Sequence, residues 1–109
     1  MFGLTEQKIE KWGKKGNAAK LIKASSNSNS NLRLAAAKGM GNVNNEIVIN
    51  ALIIMLRDRS PEVRMASIDS LGKINSKVAV EYIRSLIADT DEKVSTKARE
   101  ALKSFAKQL

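Results

Sequence analysis

The 109-residue sequence predicts an all-α fold, a solenoid of about three stacked helix pairs behind an N-terminal capping helix. Three observations predict it. The chain matches itself without gaps when shifted by 31 residues. Within each copy the apolar residues recur at helical spacing. No stretch alternates as a half-buried strand would; Ile47-Val48-Ile49 is β-prone alone but lies inside a 3.6-residue pattern.

The shift aligns Leu32-Arg33 with Val63-Arg64 and Val94-Ser95, and Ala36 with Ser67 and Ala98. It aligns Met40 with Leu71 and Leu102, and Val43 with Ile74 and Phe105. Leu21, Leu52 and Ile83 coincide, as do Gly41 with Gly72 and Asn44 with Asn75. Asn27, Asp58 and Asp89 share one column. Apolar periodicity alone would not hold Gly, Asp, Arg and Asn columns in phase. Each unit therefore reads as a helix A, a short turn and a helix B.

The elements follow in order. Ile9 and Trp12 fall one period before Met40 and Val43, so residues 4–12 are expected to form an unpaired B helix that caps the stack, with Trp12 in the terminal core. Gly13-Lys14-Lys15-Gly16 is expected to break it. Residues 17–25 form the first A helix. Ser25 to Asn31 has the composition of a linker, but it stands one period before the turn at Arg57 to Glu62 and so reads as a polar turn, with Asn29 capping a B helix over 30–41. The second pair covers 46–57, with Val48, Leu52, Met55 and Leu56 on one stripe, and 61–74, with Val63, Ser67, Leu71 and Ile74. Ser60 is its N-cap, Pro61 occupies the first position, where a missing N–H costs nothing, and Glu62 favours the positive helix end. The third pair covers 77–88 and 92–107, with Asp91 as cap. Gly41 and Gly72 lie near the ends of B helices, where a chain reversal is wanted. The domain organisation expected is one domain: a cap at 1–16 and repeats at 17–43, 44–75 and 76–109.

Composition limits the chemistry. Cys and His are both absent, which excludes disulfides, thiolate metal sites, imidazole bases and histidine-ligated metals. The longest apolar run, Ala51 to Leu56, is far too short to span a bilayer, and Met1-Phe2-Gly3-Leu4 is too short for a signal-peptide core. A soluble, cytoplasmic protein without a membrane partner is expected. Nineteen Lys and Arg against eleven Asp and Glu give a net charge of +8, and the excess is uneven: residues 1–45 hold eight basic and two acidic side chains.

The segment Asp58-Arg59-Ser60-Pro61-Glu62-Val63-Arg64-Met65-Ala66-Ser67-Ile68-Asp69-Ser70-Leu71-Gly72-Lys73-Ile74 resembles a HEAT repeat, and is similar to the short form known as the phycobilisome-lyase type. The flanking units match through Leu32-Arg33, Ala36 and Met40-Gly41, and through Asp89-Thr90-Asp91, Val94, Ala98 and Leu102. The resemblance implies a right-handed superhelix of HEAT-like pairs, B helices lining its concave face, and a structural ladder between neighbouring repeats built from the loop Asp and the helix-B Arg six residues later. Asp58 and Arg64 would form it. Asn27 replaces the Asp beside Arg33, and Ser95 replaces the Arg beside Asp89, so the ladder is expected to be incomplete at both ends. Some HEAT-like proteins are iron hydroxylases with His-Glu ligand pairs, which this chain lacks; repeat type alone does not carry the activity of phycobilin lyases.

Asp58 with Asp89, or Asp89-Asp91-Glu92, has the residue types of a carboxylate pair or metal site, yet the period accounts for their spacing as loop and cap residues. No catalytic residue, metal or cofactor is expected. The favoured function is a non-catalytic protein-interaction module or scaffold for an unidentified partner. Its candidate surface is Leu34, Lys38, Met65, Asp69, Thr96 and Glu100, the outward positions of successive B helices. The alternative is a nucleic-acid-binding accessory protein using Lys8, Lys11, Lys14, Lys15, Lys20 and Lys23. Ile53-Ile54 exceeds what one core stripe needs; it is expected, with Tyr82 on the next A helix, to pack deeply between units, a surface contact patch being the alternative. Leu102, Phe105 and Leu109 leave room for a weak homodimer through the C-terminal end; otherwise the chain is a monomer.

Overall fold

The computed structural model describes residues 3–108 and is all-α. Seven helices follow one another: α1 Glu6–Lys14, α2 Ala18–Ala24, α3 Ser30–Met40, α4 Glu46–Met55, α5 Pro61–Ile74, α6 Val80–Arg84 and α7 Glu92–Ala106. They pack as successive pairs, α2 with α3, α4 with α5 and α6 with α7. The B helices α1, α3, α5 and α7 each pack on the next, forming one layer; the A helices α2, α4 and α6 form the other. The Cα envelope measures 46 × 27 × 17 Å, an elongated stack two helices thick.

The core follows the repeat columns. Ile9, Met40 and Leu71 are fully buried, as are Leu21, Leu52 and Ile83, and Val63 and Val94. Ser67, in the column of Ala36 and Ala98, is also fully buried; its Oγ donates to the Val63 carbonyl at 2.9 Å, so its polarity is satisfied within its own helix. No unit buries its apolar face alone, and stability arises from stacking.

Local chemistry sets the helix ends. Asn29, Ser60 and Asp91 each accept a backbone N–H in the first turn of their B helices. Two residues before each cap, the side chains of Asn27, Asp58 and Asp89 accept the cap residue's own N–H at 2.8 to 2.9 Å. The Ser25–Asn31 segment is thus the same turn as the others, despite its linker-like composition.

The structure corrects the expected elements at three places. The first helix is not broken at Gly13 but runs through it to Lys14, starting from a Thr5 cap; the chain turns at Gly16, whose φ is +67°. The expected helix 77–88 is divided into a 3-10 turn at Lys77–Ala79, the short α6, and a second 3-10 turn at Ser85–Ala88. At the junction of α6 with the second 3-10 turn, Ser85 Oγ donates to the Tyr82 carbonyl at 2.6 Å. Neither Gly41 nor Gly72 supplies a left-handed reversal: Gly41 has φ −62°, Gly72 lies within α5, and Asn75 adopts φ +62° to end α5.

Candidate interaction surface

The turns between paired helices hold the most buried charge. Arg33, near the start of α3, reaches forward to Asp58 in the next turn, with Nε and Nη2 donating to the two carboxylate oxygens at 2.8 and 2.9 Å. Its Nη1 donates to the carbonyls of Asn27 and Ser28. One period later Arg64 Nη2 donates to Asp89 at 3.0 Å, and its Nη1 to the carbonyls of Asp58 and Arg59. Each arginine therefore binds its own turn through backbone oxygen and the following turn through a carboxylate. Asp58 and Arg64 meet only through the Asp58 carbonyl; the ion pairs are Arg33–Asp58 and Arg64–Asp89. Asn27 keeps its turn-forming oxygen and needs no charge, while Ser95 donates to the Ile87 carbonyl at 2.7 Å. Burial pushes the Asp58 carboxyl up, but the Arg33 hydrogen bonds and the Ser60 N–H outweigh it and hold its pKa below the usual carboxylate value. Arg33 is raised by the same bond. Asp58 and Asp89 are thus committed to arginines and Asp91 to its cap, an arrangement that provides no free carboxylate pair.

Two close crossings hold the B layer together, and the apolar periodicity does not reveal them. A Cβ on Gly13 would lie 2.7 Å from the Gly39 Cα, so α1 and α3 touch backbone to backbone. One period after Gly39, Ser70 donates from α5 to the Ala37 carbonyl at 2.6 Å and packs under Gly41. The signal was a column of small residues, Gly39, Ser70 and Ala101, where a neighbouring helix must approach.

The outward residues of the B helices line a run of shallow furrows. Leu34 and Lys38 share the α1–α3 furrow with Glu6, Glu10 and Lys14. Leu34, Lys38, Met65 and Asp69 line the α3–α5 furrow with Lys73. Met65, Thr96 and Glu100 line the next, beside Asp91 and Glu92. Leu34 and Met65 are half-buried, while Lys38, Asp69, Thr96 and Glu100 are exposed. Lys97 spans α7 to Asp69 on α5 at 3.0 Å. Apolar floor and positive charge thus lie toward α3, and acidic charge gathers toward α7.

The structure separates the six N-terminal lysines. Lys14 pairs with Glu10 at 3.6 Å and faces the B-helix furrow. Lys8 and Lys11 lie on another face of α1, with Lys15 just past its end, and Lys20 and Lys23 on the exposed side of α2. Trp12 is half-buried against the core, with the Lys20 ammonium 5.3 Å from its ring centroid. Phe105 is buried and Leu102 half-buried in the last unit; Leu109, like Met1 and Phe2, lies outside the described residues. Ile54 and Tyr82 do not pack deeply between units. Both are exposed, because Ile53 and Ile83 take the inward positions of their helices. Among the described residues no helix is long and apolar enough to cross a membrane.

Helix pairs stacked in register, joined by arginine–carboxylate rungs and presenting a furrowed B-helix face, define a helical-repeat solenoid. The family model for HEAT repeats matches residues 18–103, and the chain belongs to the HEAT-repeat family. No curated protein searched gives a significant match.

Proposed function

We propose that this chain is a non-catalytic protein-interaction module that holds a partner along its B-helix face. The observation that carries this is the continuity of the furrows: Leu34, Lys38, Met65, Asp69, Thr96 and Glu100 line one accessible surface across three neighbouring helices. Leu34 and Met65 offer apolar contact at its centre, and the charges around them give it a direction. The protein would act as a scaffold rather than a reaction centre, since its buried charges are spent on holding repeats together. The 31-residue period supports the short, phycobilisome-lyase-type form of the repeat. The test is affinity capture from the native cell with and without nuclease, using wild type, Leu34→Asp and Met65→Asp. Both substitutions should leave the helical content unchanged and abolish capture of a nuclease-insensitive partner. Retention of the partner by both variants would refute the assignment.

A second reading rests on the lysine-rich end. Lys8 and Lys11 on α1, Lys15 at its C-terminal cap, and Lys20 and Lys23 on α2 are all exposed, away from Glu6 and Glu10, and suit a phosphate backbone. It requires an affinity for nucleic acid that falls steeply with salt and is lost on combining Lys11→Glu with Lys15→Glu.

A further inference from the structure

On the assignment of the B-helix face to protein binding, on which this rests, we propose that its occupant is one amphipathic α-helix of a partner protein. That helix lies antiparallel to α5 in the furrow between α3 and α5, and carries an acidic first turn, an apolar stripe and a basic last turn. The furrow has a direction because its two walls run the same way: Ser70 donates to the Ala37 carbonyl, and further along Lys73 Nζ donates to Asn42 Oδ1. Leu34, Met65 and Ala66 line its middle. Glu62 stands in the first turn of α5, whereas Lys38 and Lys73 stand in the last turns of α3 and α5. The remaining carboxylate, Asp69, is held by Lys97 of α7 at 3.0 Å. Glu62, Lys38 and Lys73 are exposed, and among the described residues none of them forms an ion pair. The furrow is thus negative where its helices begin, apolar in the middle and positive where they end.

Charge complementarity along the furrow defines the occupant. It must be basic over Glu62, apolar over Leu34 and Met65, and acidic over Lys38 and Lys73. Glu62 and Lys73 are three helical turns apart on α5, about 16 Å along its axis. A helix of that length presents apolar residues at i, i+3, i+4 and i+7 to a groove and satisfies its own backbone. An extended segment would need a sheet edge to pair with, and the walls here are helices whose backbone groups are already bonded. A helix is also stabilised by acidic residues in its first turn and basic residues in its last. That natural order meets complementary charge at both ends only when the helix runs antiparallel to α5; a parallel helix would set its acidic turn against Glu62. The neighbouring furrows lack this polarity. Between α1 and α3, Lys14 is already paired with Glu10 at 3.6 Å. Between α5 and α7, acid stands at both ends, Glu62 and Glu92 at one and Glu100 at the other.

The apolar floor is small, so the end charges set orientation and selectivity more than they set affinity. A partner helix of reversed charge order is rejected by like charge at both ends, which gives the furrow a means of discrimination.

The experiment is an NMR titration of the full, isotope-labelled chain with two synthetic peptides of about eighteen residues, long enough to be helical alone. The first carries Glu in its first turn, Leu at i, i+3, i+4 and i+7, and Lys in its last turn; the second has the Glu and Lys turns exchanged. The first should shift signals of Leu34 and Met65 below about 1 mM, the weak limit of recognition, and the second should bind at least about tenfold more weakly. A nitroxide on the N-terminus of the first should broaden signals around Lys38 and Lys73 and spare Glu62. Exchange of the turns also weakens the peptide's own helix. A triple variant at exposed sites, Lys38→Glu, Glu62→Lys and Lys73→Glu, with unchanged circular dichroism, should therefore reverse the preference. Absence of shifts with both peptides, broadening at Glu62, or a preference that the triple variant leaves unchanged overturns the proposal. So do the same shifts produced without peptide by raising the protein concentration, which would make the occupant a second copy. If Leu34→Asp and Met65→Asp still abolish capture of a partner while the peptides fail, the B-helix face remains the interaction surface and only the antiparallel helix is lost.

Discussion

Asp58 shows how one side chain serves two neighbours. Its carboxylate receives Arg33 from the preceding unit and the Ser60 N–H of its own turn, while its carbonyl receives Arg64. Removing the charge leaves a nearly buried guanidinium unpaired, so Asp58→Asn should cost about 3 kcal/mol at neutral pH. Because the folded-state pKa of Asp58 is depressed, its contribution is complete above the unfolded value of about 4 and declines as pH falls through the folded value. Urea unfolding at pH 7 and at about pH 3 should therefore show a gap between wild type and Asp58→Asn that narrows in acid. A gap independent of pH would mean that the carboxylate is not the source of the stability. The Asp and Arg columns were legible because identity recurs at one spacing. Which Arg meets which Asp was not, since a one-dimensional register cannot say whether a side chain reaches backward to its own turn or forward to the next.

At the scale of helices, glycine has opposite meanings at two sites that look alike in sequence. Gly13 lies where α1 crosses α3, and a methyl group there meets backbone that cannot swing aside. Gly72 lies within α5 with open space around it. Gly13→Ala should destabilise by about 1–3 kcal/mol. Gly72→Ala should stabilise by up to about 1 kcal/mol, through helix propensity and a less flexible unfolded chain. Thermal melts of the two variants give the signs directly, and a stabilising Gly13→Ala would deny the close crossing. The caps at Asn29, Ser60 and Asp91 were readable beforehand, because capping depends on residues within a few positions of one another. The division of the 77–88 segment was less so. Its apolar period is helical, and composition does not mark the division, since α4 holds five β-branched residues in one unbroken helix.

As a whole, the molecule is a row in which each B helix touches mainly the one before and the one after. The central α3 and α5 are packed on both sides, whereas α1 and α7 each have one B-layer neighbour. Hydrogen exchange should thus be slowest in α3 and α5 and faster in α1 and the last turns of α7. Uniform protection along the stack would indicate a single cooperative core instead. The charge also sorts at this scale: lysine gathers at the α1–α2 end, a mixed and partly apolar furrow occupies the B face, and unpaired apolar side chains stand on the A face.

The amino-acid sequence by itself determined the class of fold, the repeat length, the order of helices, the caps of α3, α5 and α7 and most of the core, because these depend on periodicity and on short-range hydrogen bonding. Tertiary structure decided the rest: the direction of the arginine rungs, the backbone contact of Gly13 with Gly39, the separation of Lys14 from the other lysines, and the exposure of Ile54 and Tyr82. Each of these depends on which face of a helix a neighbour covers, and that follows only when all the helices are placed together.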